Sequence, residues 1–93
     1  MAARITVEER APGEFRVEIV EGGGRSTHTV TVDDAYARTL TGGTVSDVEL
    51  VRRSFEFLLE REPKESILAA FALPVIARYF PDYEREIRRR VAG

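Results

Sequence analysis

The stretch STHTVTVDDAYARTL, residues 26–40, holds the change of period that decides the fold. Through Val32 the chain alternates. Ser26, His28, Val30 and Val32 share one face, and Thr27, Thr29 and Thr31 share the other. A period of two marks a half-buried strand. At Asp33 the alternation stops. Asp33 can cap a short helix over residues 34–40, and Gly42-Gly43 supplies the stop that ends it. Strands therefore belong upstream of this point and helices downstream.

Upstream, residues 4–10 alternate, with Ile5 and Val7 on one face. Pro12-Gly13 marks a turn. Residues 15–21 alternate again, with Phe15, Val17 and Ile19 against Arg16, Glu18 and Val20. Gly22-Gly23-Gly24 makes a second, flexible turn, and the third strand covers residues 26–32. Short turns make neighbouring antiparallel strands the default, so the spacing predicts a three-stranded meander. Its inner face is aliphatic plus Phe15, and its outer face is charged and threonine-rich.

Downstream, Ser46 caps a helix over residues 46–61, and Glu49, three residues on, can close a capping box. Val48, Val51, Phe55, Leu58 and Leu59 span an arc of roughly 100° on that helix, the width of a core-facing stripe. Pro63 stops it. Ser66 can cap a helix over 67–72, Pro74 opens one over 74–80, and Pro81 opens one over 82–91. Strands first and helices after predict an α+β domain: an antiparallel meander covered on one face by the C-terminal helices.

The string SFEFLLEREPKESILAAFALPVIARYFPDYEREI, residues 54–87, resembles a group of small prokaryotic proteins. They share the pattern FLLEREP…SIL…FxLxVI…YFPxY. The resemblance covers about the C-terminal third of the chain and implies no activity.

Composition narrows the function classes. The chain has 93 residues and a net charge of −2, from 14 basic and 16 acidic residues. That length fits one domain, which buries roughly 60–65% of its unfolded surface. With no cysteine, disulfides, thiolate nucleophiles and cysteine-based metal sites are excluded. The absence of a membrane-length apolar run and of a signal-like stretch predicts a cytoplasmic protein with no membrane partner. There is no Asn, Gln or Trp, and Lys64 is the one lysine among the basic residues. Depletion of thermolabile residues predicts heat stability.

No set of residues converges on catalysis, a cofactor or a metal, so the chain reads as non-enzymatic. His28, the one histidine, has Ser26 on its face, yet a single strand cannot supply a third catalytic member. The glycine run 22–24 lacks the helix N-terminus or lysine of a phosphate loop. Asp33-Asp34 and Asp82/Glu84/Glu86 read as capping and solvation. A helix-turn-helix over residues 66–80 would present little beyond Arg78 and Tyr79 to bases.

Leu50 and Phe57 lie seven apart, roughly opposite the core stripe of helix 46–61. Either the C-terminal helices cover them, or they form a surface for a protein partner or a second copy. The resulting expectation is a small protein–protein interaction or regulatory module that self-associates, with the sheet edges as a second route of association. The alternative is a nucleic-acid-binding regulator that uses Arg85, Arg88 and Arg89, which share one arc of the last helix. Its salt dependence would be steep.

Overall fold

The computed structural model describes residues 3–92. Strand β1 (Arg4–Ala11) pairs antiparallel with β2 (Glu14–Glu21), from Arg4 opposite Val20 to Ala11 opposite Glu14. Strand β2 pairs antiparallel with β3 (Gly24–Thr31), from Glu14 opposite Thr31 to Glu21 opposite Gly24. The second turn is tighter than a loose glycine run. Gly24 already belongs to β3, and only Gly22 (φ 59°) and Gly23 (φ 83°) make the connection. Positive φ at both central positions is what a two-residue hairpin needs to follow the strand twist.

The sheet has four strands, in the order β1-β2-β3-β4, and not three. The added strand β4 (Ala70–Ala72) runs parallel to β3 and is paired through Thr29–Ala70, Val30–Phe71 and Thr31–Ala72. This replaces the helix expected over residues 67–72. Residues Lys64–Ser66 form a single 3-10 turn, and the chain then extends. Ile67 and Phe71 are four apart, as a helix stripe would have them. The strand wins because the edge of β3 offers backbone partners. Thr29 donates to the Ala69 carbonyl at 2.8 Å, and Leu73 donates to the Thr31 carbonyl at 2.9 Å. Phe71 then lies beside Val30, next to the Phe55 ring at 5.9 Å. Pairing and burial of this kind override helix propensity worth a few tenths of a kcal/mol per residue. The helix-turn-helix over 66–80 falls with its first helix.

Four helices follow the pattern more closely. Helix α1 (Asp34–Thr41) starts at Asp33, whose carboxylate accepts from the Tyr36 N–H. It ends at Gly42 in the left-handed conformation, φ 65°. Helix α2 (Asp47–Leu59) starts at Ser46, whose hydroxyl accepts from the Glu49 N–H at 3.1 Å. The carboxylate of Glu49 is engaged elsewhere, at 2.7 Å from Arg53 Nε. Helix α3 (Val75–Tyr79) follows Pro74, and α4 (Tyr83–Ala92) closes the fold.

Helix α2 lies between two layers. On one side Phe55 meets His28 of β3 at 5.5 Å between rings. On the other, Phe57 meets Phe80 and Tyr83 edge-on at 6.0 and 5.3 Å. The buried apolar residues form one cluster, running from Phe15, Val17 and Ile19 of the sheet through Val51 and Leu58 to Tyr83 and Ile87. The opposite face of the sheet carries Arg16, Glu18, Thr27, Thr29 and Thr31, as the alternation predicts.

Candidate functional site

Leu50 and Phe57 do not form a surface. Both are fully buried. The Arg61 guanidinium stacks 3.6 Å above the Phe57 ring centroid, and Arg90 approaches the ring at 5.6 Å. With Phe80 and Tyr83 they close it in. An apolar residue opposite a helix's core stripe is here the mark of a second packed layer. Any surface for a partner lies elsewhere.

Two large apolar side chains are exposed among the described residues: Leu68 at 45% and Tyr79 at 66%. Both line one groove. Its floor comes from Leu58 of α2, Ile67 and Phe71, and its far wall from Val75, Ile76 and Phe80 of α3 and its C-terminus. Glu62 and Ser66 also reach it. The walls exist because the chain leaves α2 after Leu59, makes the 3-10 turn behind Pro63, joins the sheet as β4 and reverses at Leu73-Pro74 into α3. The cavity volume is about 280 Å³. That sits just below the roughly 300–1,000 Å³ of small-molecule sites. It has room for one or two anchoring side chains and little more.

The edge of β4 borders this groove. In the parallel pairing, the Ala69 carbonyl and the Leu73 N–H turn toward β3. The N–H and C=O groups of Ala70 and Ala72 therefore turn the other way, toward the open edge. Both alanines are exposed, and among the described residues neither backbone has a hydrogen-bond partner outside the strand ladder. Glu62 is the one charged side chain lining the groove. Burial holds its carboxyl above its ordinary value, and among the described residues no cation lies within 4 Å of it.

His28 anchors the segment that leads into the groove. It is buried, and its Nδ1 lies 2.8 Å from the Leu68 carbonyl oxygen. A carbonyl only accepts, so Nδ1 carries the proton. Nε2, 2.9 Å from Ser26 Oγ, then accepts from the hydroxyl of Ser26 in the neutral ring. A main-chain carbonyl thus supplies the third member that one strand could not. These are the contacts of a serine–histidine relay. None of the principal cavities, however, is lined by Ser26 or His28, so the arrangement serves as a clasp between β3 and the start of β4. The single lysine is nearby. Lys64 is buried over Gly24, with its ammonium 2.8 Å from Glu65. A side chain at position 24 would meet the Lys64 ammonium at 3.0 Å.

Arg85, Arg88 and Arg89 are exposed on α4. Arg89 pairs with Glu86 at 2.6 Å, while Arg85 and Arg88 have no carboxylate within 4 Å among the described residues. Their neighbour Arg90 is held by two hydrogen bonds to Glu60, at 2.6 and 2.9 Å. Asp82 is engaged by Arg61 at 2.8 Å, and Glu84 accepts from the Tyr36 hydroxyl at 2.8 Å. The acidic cluster of α4 thus fastens α4 to α1 and α2. Among the described residues, no group of three or more metal-ligating side chains comes together.

The sequence reading gave Leu68 and Phe71 no role and offered Tyr79 only to bases, because it made short helices of residues 67–72 and 74–80. The signal was the density of the run. Ile67, Leu68, Phe71, Leu73, Val75, Ile76, Tyr79 and Phe80 exceed what one core-facing stripe needs over that length.

Searches of the chain against protein-family models, curated proteins and solved structures return no match.

Proposed function

We propose that this protein is a small non-enzymatic interaction module that binds a protein partner through the groove between β4 and α3. The observation that supports it is the coincidence of Leu68 and Tyr79. Among the described residues, the two exposed large apolar side chains flank one apolar cavity, where scattered surface hydrophobes would need no explanation. Aromatic anchors seated in small pockets dominate the energetics of such contacts.

The test is a peptide-display selection on the immobilised protein, followed by amide chemical-shift mapping of an enriched peptide. The reading expects shifts at Leu68, Phe71, Ile76 and Tyr79. It also expects Leu68→Ser with Tyr79→Ser to weaken binding at least tenfold, with an unchanged circular dichroism spectrum. Shifts confined to α4, or full affinity in the double variant, would overturn it.

Nucleic-acid binding through α4 is the second reading, supported by the exposed guanidiniums of Arg85 and Arg88, which meet no carboxylate within 4 Å among the described residues. It expects affinity for a single-stranded or duplex oligonucleotide to fall steeply with salt. It further expects that affinity to vanish in Arg85→Ala/Arg88→Ala/Arg89→Ala. Binding that survives the triple substitution rules it out.

A further inference from the structure

The geometry points to strand addition as the way this groove is filled: an extended segment of a partner protein, apolar at alternate positions and carrying a Lys or Arg, pairs with the open edge of β4. The inference rests on the groove being the binding site and specifies the conformation and chemistry of its occupant.

Three observations carry it. First, the outward N–H and C=O groups of Ala70 and Ala72 form a ready row of two donors and two acceptors, and both residues carry only a methyl side chain. Elsewhere the fold protects an edge. At β1, Arg52 donates to the Ile5 carbonyl at 2.9 Å and covers it from α2. Charged side chains near an open edge are a common guard against unwanted pairing. At β4 the guard is missing: Ala69, Ala70 and Ala72 are all small and exposed.

Second, the groove and the edge belong to the same strand. Phe71 lines the groove, while Ala70 and Ala72 point to the outer face of the sheet beside Thr29 and Thr31. Successive side chains of an added strand alternate in the same way. Every second residue of the partner would drop in beside Phe71 and Tyr79, and those between would lie over alanine and threonine. In binding by strand addition, the backbone supplies affinity and alternate pockets supply choice of sequence. A helix laid in the groove would use the walls and leave the edge unpaired.

Third, the charge at the groove sets the partner's polarity. Glu62 is the one charged lining residue, and no cation of the described chain reaches it. Partial burial pushes its carboxyl above the ordinary value. A partner ammonium or guanidinium would complete the pair.

The experiment uses the whole chain and peptides enriched from a random decapeptide display library. Enriched peptides should show apolar residues at alternate positions, a Lys or Arg, and no proline at the paired positions. Ala72→Pro removes one outward N–H and keeps the bond from Leu73 to Thr31. Phe71 before it is already extended, as a pre-proline residue should be. It should weaken the peptide at least tenfold with the groove intact.

Glu62→Lys serves as a second variant in case Ala72→Pro disturbs the fold. It should turn the preference from basic to acidic peptides, with at least a tenfold exchange in relative affinity.

Peptides that bind Ala72→Pro and wild type equally, yet are lost in Leu68→Ser/Tyr79→Ser, would overturn strand addition and leave the groove as the site. Failure of the library to enrich, together with a concentration-dependent dimer broken by Tyr79→Ser, would make a second copy of this chain the occupant and overturn the proposal. Unchanged charge preference in Glu62→Lys would remove the basic residue from it.

Discussion

The hydroxyls of Ser54 and Tyr83 lie 2.7 Å apart in the core, joining α2 to α4. Ser54 Oγ is also 2.8 Å from the Leu50 carbonyl, to which it must donate. Tyr83 is therefore the donor to Ser54. The direction of that bond makes the two truncations unequal. Ser54→Ala strands a buried phenolic O–H and should cost about 1–3 kcal/mol. Tyr83→Phe leaves Ser54 satisfied and should cost about 0.5–1.5 kcal/mol. Urea denaturation of both variants checks the order, and the reverse order would reverse the bond.

Alkali should act on the same residue. Burial raises the Tyr83 phenol above its ordinary 10, and the Tyr36 phenol is raised by burial and by its bond to Glu84. Above pH 10 the unfolded chain loses these protons while the folded chain keeps them. Stability therefore falls as pH rises past 10. Tyr83→Phe should flatten that decline, as followed by denaturation midpoints between pH 9 and about 11.

On the acid side the sign is opposite. Glu60 is held below its ordinary 4.5 by its hydrogen bond to Arg90, Asp82 below 3.8 by Arg61, and Glu86 below 4.5 by Arg89. Their contribution is present above those ordinary values and drains away as pH falls through the lowered ones. Glu60 is exposed, and Asp82 and Glu86 are half-buried at the surface, so the loss should be shallow and should shrink in 0.5 M salt.

Phe57 should behave as a core residue. Phe57→Ala removes the ring beneath Arg61 and beside Phe80 and Tyr83, and should cost about 3–5 kcal/mol. A loss below about 1 kcal/mol would contradict the packing described here.

Two glycines with positive φ should differ. A Cβ at Gly22 (φ 59°) meets nothing within 4 Å, whereas one at Gly13 (φ 76°) lies 3.0 Å from the Val32 carbonyl oxygen. Gly22→Ala should cost about 1 kcal/mol of backbone strain. Gly13→Ala should cost more, because the main chain of Val32, which donates to the Gly13 carbonyl at 2.8 Å, must shift as well. Thermal melts of the two variants rank them.

The clasp at His28 should be felt locally. His28→Leu leaves the Leu68 carbonyl without its donor and frees the lead-in to β4. Hydrogen exchange should quicken over residues 67–73 before it quickens in β1 and β2.

The meander was legible from Ile5 to Val32 because each strand pairs with its chain neighbour, so local alternation carries all the information needed. Helix α2 was legible from Ser46 and its stripe, though Glu49 turned to Arg53 instead of closing the box. The interaction groove was not legible. Its floor depends on β4, a strand of three residues with no alternation of its own, whose partner is β3 far upstream. Leu50 and Phe57 stayed open between cover by the C-terminal helices and a partner surface for a related reason: helix periodicity reports two apolar sides without saying which is met by a second layer.

The parallel docking of β4 also has a temporal side. His28 and Leu68 are 40 residues apart, so β3 is synthesised well before the residue its histidine clasps. At about 5–20 residues per second of synthesis, residue 68 follows residue 28 by on the order of 2–8 s. A β1–β3 sheet formed before β4 docks has the whole outer edge of β3, Gly24–Thr31, without a neighbouring strand. The docking of Ala70–Ala72 covers that edge along Thr29–Thr31 and leaves β4 as the new edge there.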